Sequence, residues 1–416
     1  MHLEITPELA ELRAALRRFT TEVLEPLALE IDQTGEVPTR AWDVMRAQGY
    51  LGMRMPAQFG GGDVDLSTYC LALEEFSRSH RVFTLMLDAT SGLNPIAIAK
   101  FGTPAQQEQY LQGLCTGRML ASFALTEPGA GSDAQAISTK AEMTLTGWRL
   151  NGRKHYISGA HQADVLLVMA VNDSEKRSRG GISAFLVDQG TPGLTVTRVD
   201  TTIGSDPIKI CELTFEDCEI PNSAVLGEVG QGFKIAMSSL VSGRMGIACS
   251  CIGAADRLLE MSAAYARERH TFGKPLAERQ AIQWMLADSA TELAQARALT
   301  YETLRQIEAG QDVGSAASMC KLAASEMVGR VADRAVQIHG GAGLVRGVPV
   351  ERFYRDIRHY RVGEGSSEIQ RMLIAREVLG AEPTEQQLEG GREIVRKRRV
   401  SIRSGHGTGK TTFEAW

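Results

Sequence analysis

The chain has 416 residues, and its 45 Lys and Arg against 50 Asp and Glu give a formal net charge of -5. That length suits two or three domains, and the slightly acidic, mixed charge excludes the general electrostatic footprint of a nucleic-acid binder. Seven cysteines without a CxxC pair read as reduced core thiols of a cytoplasmic protein, and the longest uninterrupted apolar run, Val165–Val171, is too short to span a membrane.

The first eight residues lack the basic-then-apolar layout of a signal peptide. Thr6 before Pro7 and Glu8 predicts a helix start, with a capping hydroxyl, proline at the first helical position and an acid near the positive end of the dipole. Leu9, Leu12, Leu16, Phe19 and Val23 follow at spacings of three and four, as on an amphipathic helix. At Thr103-Pro104-Ala105-Gln106 a second helix starts, with Gln106 set to close a capping box on Thr103. Helices joined by short loops, with Gly60-Gly61-Gly62-Asp63 as one breaker, fill a predicted domain over 1–120.

After residue 120 the period changes. Asn151-Gly152, between Trp148-Arg149-Leu150 and 153–158, predicts a hairpin, because that dipeptide accepts the positive φ angles of a type I′ turn. Short runs at 165–171, 182–187, 194–199 and 211–215 predict further strands. In the third of these, Leu194 and Val196 alternate with Thr195 and Thr197, as a sheet with one wet face requires. A β domain is therefore predicted over 121–231. The helical period then returns, and Ile282, Leu286, Leu293 and Ala296 share one helix face, which predicts a bundle over 232–381.

Other glycine-rich and basic segments carry less chemistry. Gly341-Ala342-Gly343 begins a dinucleotide fingerprint, but Arg346 replaces its third glycine and a helix precedes it. The eight histidines form no HxxxH or Cys/His cluster, so no metal site is expected. The tail over 382–416 is basic through Arg392, Arg396, Lys397, Arg398, Arg399 and Arg403. Its stretch from Ser404 to Thr411 nearly spells a P-loop, with Ser404 at the first glycine and five residues beyond Thr411. It resembles a truncated segment of phage terminase large subunits and is expected to be disordered and foreign to the rest.

Two stretches remain as candidates for a site. Phe123-Ala124-Leu125-Thr126-Glu127-Pro128-Gly129-Ala130-Gly131-Ser132-Asp133 joins an apolar strand to a turn rich in N–H groups and hydroxyls. It can line a flat aromatic cofactor and reach a phosphate with Ser132, or be a plain surface turn. In Val362-Gly363-Glu364-Gly365-Ser366-Ser367-Glu368, the two glycines leave Glu364 without bulky neighbours, either as a solvated loop acid or as a base standing in a cavity.

Four segments together resemble the acyl-CoA dehydrogenase family. They are 125–133, Arg267-Glu268-Arg269-His270-Thr271-Phe272-Gly273-Lys274-Pro275-Leu276 with Gln280 behind it, Gln337-Ile338-His339-Gly340-Gly341-Ala342-Gly343, and Tyr354-Arg355-Asp356 leading to Gly363-Glu364-Gly365. The similarity runs from about residue 5 to about 381. It implies an N-terminal helical domain, a central β-barrel or sandwich domain and a C-terminal four-helix bundle, with FAD as cofactor and a homotetramer built as a dimer of dimers.

On this resemblance Phe123, Leu125, Thr126, Gly131, Ser132, Tyr156, Ile157 and Ser158 would surround the flavin. Arg269, Phe272, Gln280, Gln337, Gly340 and Gly341 would come from a neighbouring subunit to its pyrophosphate and adenosine end, with Ser366 and Glu368 closing over the same cofactor. Ser132, Arg244 and Gly365 would contact the thioester, an acyl-CoA or an acyl carrier protein thioester. Glu364 would take the α-proton while a hydride passes from the β-carbon to the flavin, giving a trans-2-enoyl thioester. Electron-transferring flavoprotein would be the acceptor. Acyl carrier protein thioester dehydrogenation and flavin oxidase or monooxygenase chemistry on the same fold are the alternatives, and Glu364 favours the dehydrogenase over oxygen chemistry.

The chain departs from the family pattern at several positions. Tyr156 stands where many members carry Trp, Gly363 where straight-chain members have a bulkier residue, and Val241 where they have Asp. Gly243 occupies the position at which some branched-chain members place their base, so Glu364 has no rival. Arg81 is read as a surface side chain, with contact to a carboxylated acyl group as the other option.

Overall fold

The computed structural model describes residues 7–204, 207–238 and 240–380. The capping residue Thr6 and the 382–416 tail lie outside the described residues. Helix α1, Pro7–Phe19, opens on the expected proline and runs through one wider turn, Thr20–Leu24, into α2, Glu25–Thr34. Helices α3 (Thr39–Ala47), α4 (Leu66–Phe76), α5 (Arg81–Ser91), α6 (Leu93–Phe101) and α7 (Pro104–Cys115) follow. The capping box at the start of α7 is formed. Gln106 N donates to Thr103 Oγ1 at 3.2 Å, and Thr103 N donates to Gln106 Oε1 at 2.9 Å. The Gln106 amide also reaches the carbonyls of Ser223 and Val225, tying this helical layer to the sheet.

Strands β1 (Ala121–Ala124), β2 (Lys140–Met143), β3 (Gly147–Ser158), β4 (Val165–Val171), β5 (Ile182–Asp188), β6 (Leu194–Asp200), β7 (Ile210–Pro221) and β8 (Val225–Leu226) form the central sheet. Its order is β6-β7-β3-β2-β4-β5-β8, with β1 parallel to β4. The run at 165–171 is continuously apolar because both faces of β4 are covered. Leu167 and Met169 pack towards α6, α7 and the following helix, whereas Leu166 and Val168 meet Leu213, Phe215 and Trp148 of the other strands. The outermost strand β6 keeps the predicted wet face.

One expectation is overturned. Asn151 and Gly152 do not turn the chain. They lie inside the twelve-residue strand β3 as a bulge opposite β7, where the register slips between Leu150 and Gly152. Asp217 on the partner strand takes the left-handed conformation (φ 44°) and donates its N–H to Asn151 Oδ1 at 2.8 Å. Gly152 sits at φ 151°, and a Cβ there would come within 2.6 Å of Thr139 Oγ1. Glycine is thus required by a close approach, which a bulge demands as often as a turn does. The actual reversal is the loop between β2 and β3.

Helices α8 (Gly232–Ser238), α9 (Leu240–Glu268), α10 (Gln280–Glu308), α11 (Ala316–His339), α12 (Pro349–Ile357) and α13 (Ser367–Leu379) complete the fold, with the small hairpin β9 (His270–Thr271) and β10 (Lys274–Pro275) between α9 and α10. The long helices share one core with α1, α2 and α4, so the two helical regions are packed as one body. A Cβ on Gly253 of α9 would overlap Glu74 O of α4, which shows how closely those helices cross.

Candidate active site

Glu364 lies in the turn between α12 and α13. The N–H groups of Val362 and Gly363 both bond His359 O, at 2.8 and 2.9 Å, and Glu364 then takes a left-handed φ of 51°, followed by Gly365 at 88°. A non-glycine residue held there costs about 1–3 kcal/mol unless its surroundings fix it. Two fully buried side chains do so: Lys321 Nζ donates to Gly365 O at 2.8 Å, and Gln370 Nε2 donates to the same carbonyl at 2.9 Å. Ser366 caps α13 by accepting from Ile369 N, so its hydroxyl is partly engaged.

The exposure of Glu364 is to a cleft, not to open solvent. It lines a cavity of about 80 Å³ with Ser242, Gly243 and Gly246 of α9, Tyr69 of α4, and Arg81, Thr84 and Asp88 of α5. A Cβ on Gly243 would overlap Glu364 Oε2, so the glycine on α9 makes the space the carboxylate occupies. Burial pushes Glu364 up to about 7, and the Asp88 charge adds to this while Lys321, Arg244 and Arg81 oppose it. Arg244, half-buried one residue beyond Gly243, is lowered by burial and drawn back by Glu364. Arg81 is not the surface side chain expected from the sequence. It lines the cavity, with Nη2 2.7 Å from His359 Nε2 and its guanidinium over the Tyr360 ring.

The structure brings a second group together where β1 and β3 lie side by side. Phe123 lies in β1 one residue before its end, Leu125 and Thr126 follow the strand, and His155 N donates to Thr126 O at 2.9 Å. Ser122 Oγ donates to Ser158 O at 2.8 Å, which sets Tyr156, Ile157 and Ser158 next to Phe123. Tyr156 is left-handed (φ 59°), stacks on His155 at 3.8 Å and stays exposed, whereas Ile157 is buried. Beneath the loop, buried Glu127 accepts from Ser138 N, Ser138 Oγ, Thr139 N and Lys154 Nζ. Burial pushes the Glu127 carboxyl up, but Lys154 and these hydrogen bonds outweigh it and hold it low. Gly129, and Gly131 beside exposed Ser132, would each carry a Cβ into open space, so the loop presents an unobstructed backbone.

A third group sits where α9, α10 and α11 end or begin. Tyr265 stacks on His339 at 4.4 Å, joining the end of α9 to the end of α11. Around that junction Arg269, Phe272, Gln280, Gln337, Gly340 and Gly341 are all exposed, with Phe272 97% exposed at φ 48° and open space beside both glycines. Glu368, in the first turn of α13, is also exposed.

Sequence reading missed Arg54, Tyr69, Asp88 and His359 in the cavity wall. The one signal available was Asp88, the lone acid on helix α5, set directly after the apolar run Leu85-Met86-Leu87.

Comparison with known proteins gives a consistent result. Three family models match in chain order: the acyl-CoA dehydrogenase N-terminal domain over 6–118, the middle domain over 122–218 and the C-terminal domain over 230–379. The acryloyl-CoA reductase (NADH) of Anaerotignum propionicum is 40% identical over 381 residues, covering 91% of this chain and 96% of its own. The mitochondrial short-chain specific acyl-CoA dehydrogenase of Rattus norvegicus is 40% identical over 368 residues, covering 88% and 89%. The structure of butyryl-CoA dehydrogenase from Megasphaera elsdenii matches with a TM-score of 0.85 at 35% identity, covering 91% of this chain and 100% of that one.

Proposed function

The chain belongs to the acyl-CoA dehydrogenase family, an FAD-dependent oxidoreductase of that fold acting on acyl-CoA, and from this we propose that it desaturates a short-chain acyl-CoA with Glu364 as the base. The observation that carries the reading is the carboxylate itself, held by a clamped left-handed turn in a cavity and raised to about 7. A base with its pKa near working pH removes a weakly acidic α-proton better than an ordinary carboxylate. Gly243 leaves it room, and Arg244, Arg81 and Lys321 lie close enough to steady the negative charge once it forms.

The residues present fit FAD. The exposed aromatic Tyr156, the glycines with open space beside them and the hydroxyls of Thr126, Ser132 and Ser158 suit a flat ring and a phosphate. When bound, FAD supplies the two-electron acceptor for the hydride leaving the β-carbon. Phe123, Leu125, Thr126, Tyr156, Ile157 and Ser158 would hold the ring system. Arg269, Phe272, Gln280, Gln337, Gly340 and Gly341 of a neighbouring subunit would hold the distal end. The apolar surface at Phe272, Trp284, Leu344 and Val345 supports burial of that region against another copy. Electron-transferring flavoprotein is the proposed acceptor, with exposed Tyr156 marking the side it approaches.

Anaerobic titration of the purified flavoprotein with straight-chain acyl-CoA thioesters tests the reading. Butyryl-CoA should bleach the flavin and yield the trans-2-enoyl thioester, and Glu364→Gln should bind without bleaching. Bleaching that survives Glu364→Gln would assign the base elsewhere, and an oxidised flavin unmoved by every acyl-CoA would end the dehydrogenase reading.

A further inference from the structure

A pocket for a plain alkyl chain should be apolar throughout; Leu73, Leu85, Leu93 and Ile247 give this cavity such a wall in part, yet Arg54, Tyr69, Arg81, Asp88 and His359 join Glu364 in it. Three of these, Arg54, Tyr69 and His359, are hydrogen-bond donors with at least one N–H or O–H that finds no acceptor among the described residues. The Tyr69 hydroxyl has no partner among the described residues, although the residue is only 3% exposed. Burial and the nearby Asp88 charge push its pKa well up, so it stays a donor. His359 Nε2 lies 2.7 Å from Arg81 Nη2. Arginine can only donate, so Nε2 accepts and the proton sits on Nδ1, which is buried without a partner among the described residues. Arg54 makes no hydrogen bond or ion pair among those residues. Its guanidinium lies 5.5 Å above the Tyr69 ring, an arrangement that leaves its N–H edge available to an anion.

Facing these donors are two carboxylates. Glu364 is reserved for the α-proton. Asp88 stands against both Arg54 and Arg81, and although burial raises it to about 6 it stays mostly ionised near neutral pH, so one carboxylate faces two guanidinium groups. The wall therefore presents more donors and more positive charge than its own acceptors satisfy.

We propose that the acyl group taken by this cavity is short and ends in a carboxylate, received by the Arg54 guanidinium and the Tyr69 hydroxyl. This rests on the dehydrogenase reading above and specifies its substrate class. The reaction is unchanged: the α-proton goes to Glu364, the β-hydride to the flavin, and the distal carboxylate only orients the chain.

The test compares succinyl-CoA with butyryl-CoA and glutaryl-CoA with pentanoyl-CoA on the FAD-loaded protein, by flavin bleaching and by kcat/KM. The carboxylated member of each pair should be favoured by about tenfold or more, and Arg54→Met and Tyr69→Phe should each lower that ratio by about tenfold. Equal or greater turnover of the alkyl thioesters, or a ratio that neither variant moves, overturns the inference while leaving the dehydrogenase intact. If none of the four thioesters bleaches the flavin, this inference falls, and the dehydrogenase reading is decided by the wider acyl-CoA titration above. Tyr69→Phe keeps the ring's bulk, so it decides the matter should Arg54→Met fail to retain FAD.

Discussion

Glu364 and Asp88 face one cavity, so their protons are linked. The base works deprotonated, which places the acid limb of kcat/KM near about pH 7, with activity rising through it. Asp88→Asn removes a like charge and should move that limb to lower pH, as followed by a pH–rate profile. Glu364→Gln should lower kcat about a hundred- to ten-thousandfold. It should also stabilise the fold. A carboxyl raised in the folded state holds its proton more tightly there than in the unfolded chain, so its contribution to stability falls as pH rises from about 4.5 to about 7. The Tm advantage of Glu364→Gln over the wild type should accordingly grow between pH 5 and pH 8. None of this could be read from the residues around Glu364. Two flanking glycines fit a solvated loop acid equally well, and only the resemblance pointed to a base. What makes the residue chemical is supplied by α4, α5, α9 and α11, of which even Lys321 on α11 acts across 44 residues of sequence, and their local patterns carry no sign of that meeting.

Each element was legible where its signal was local and misread where its partner was distant. The capping box of α7 lies within four residues and formed as read, and β4 and β5 are recognisable because strands covered on both faces must be apolar throughout. Asn151-Gly152 failed because a turn and a bulge ask for the same dipeptide, and only the pairing with Asp217 on β7 separates them. Gly152→Ala would drive a Cβ into Thr139 at a φ that disfavours side chains, and a loss of about 1–3 kcal/mol is expected in chemical denaturation. A second expectation belongs to β3. Lys154, fully buried, donates to Leu125 O at 3.0 Å as well as to Glu127, so Lys154→Met strands a carboxylate beneath the Thr126 loop. Breaking a buried pair in this way costs about 3–5 kcal/mol, and because that loop lies along the proposed flavin contacts, FAD should be lost at lower temperature than in the wild type.

At the scale of the whole molecule, the proposed assembly makes a stronger demand than a size measurement, because it divides one site between two chains. If Glu364 works with flavin contacts of its own subunit and with Arg269 of a neighbour, then Glu364→Gln and Arg269→Ala each inactivate a different half. Neither variant is expected to turn over alone, the second through loss of FAD. In a co-expressed mixture, each mixed pair contains one site with an intact Glu364 facing an intact Arg269. Random pairing makes half of the pairs mixed, and half of the sites in those are whole, so roughly a quarter of wild-type activity per subunit should return under isologous two-fold pairing. The same mixture regains nothing if both residues serve one subunit's site, since no chain then carries both. The outcome also bears on why Phe272 stands 97% exposed beside Arg269. An aromatic ring held outward at a left-handed φ is costly in water, and it is accounted for once a second copy covers it.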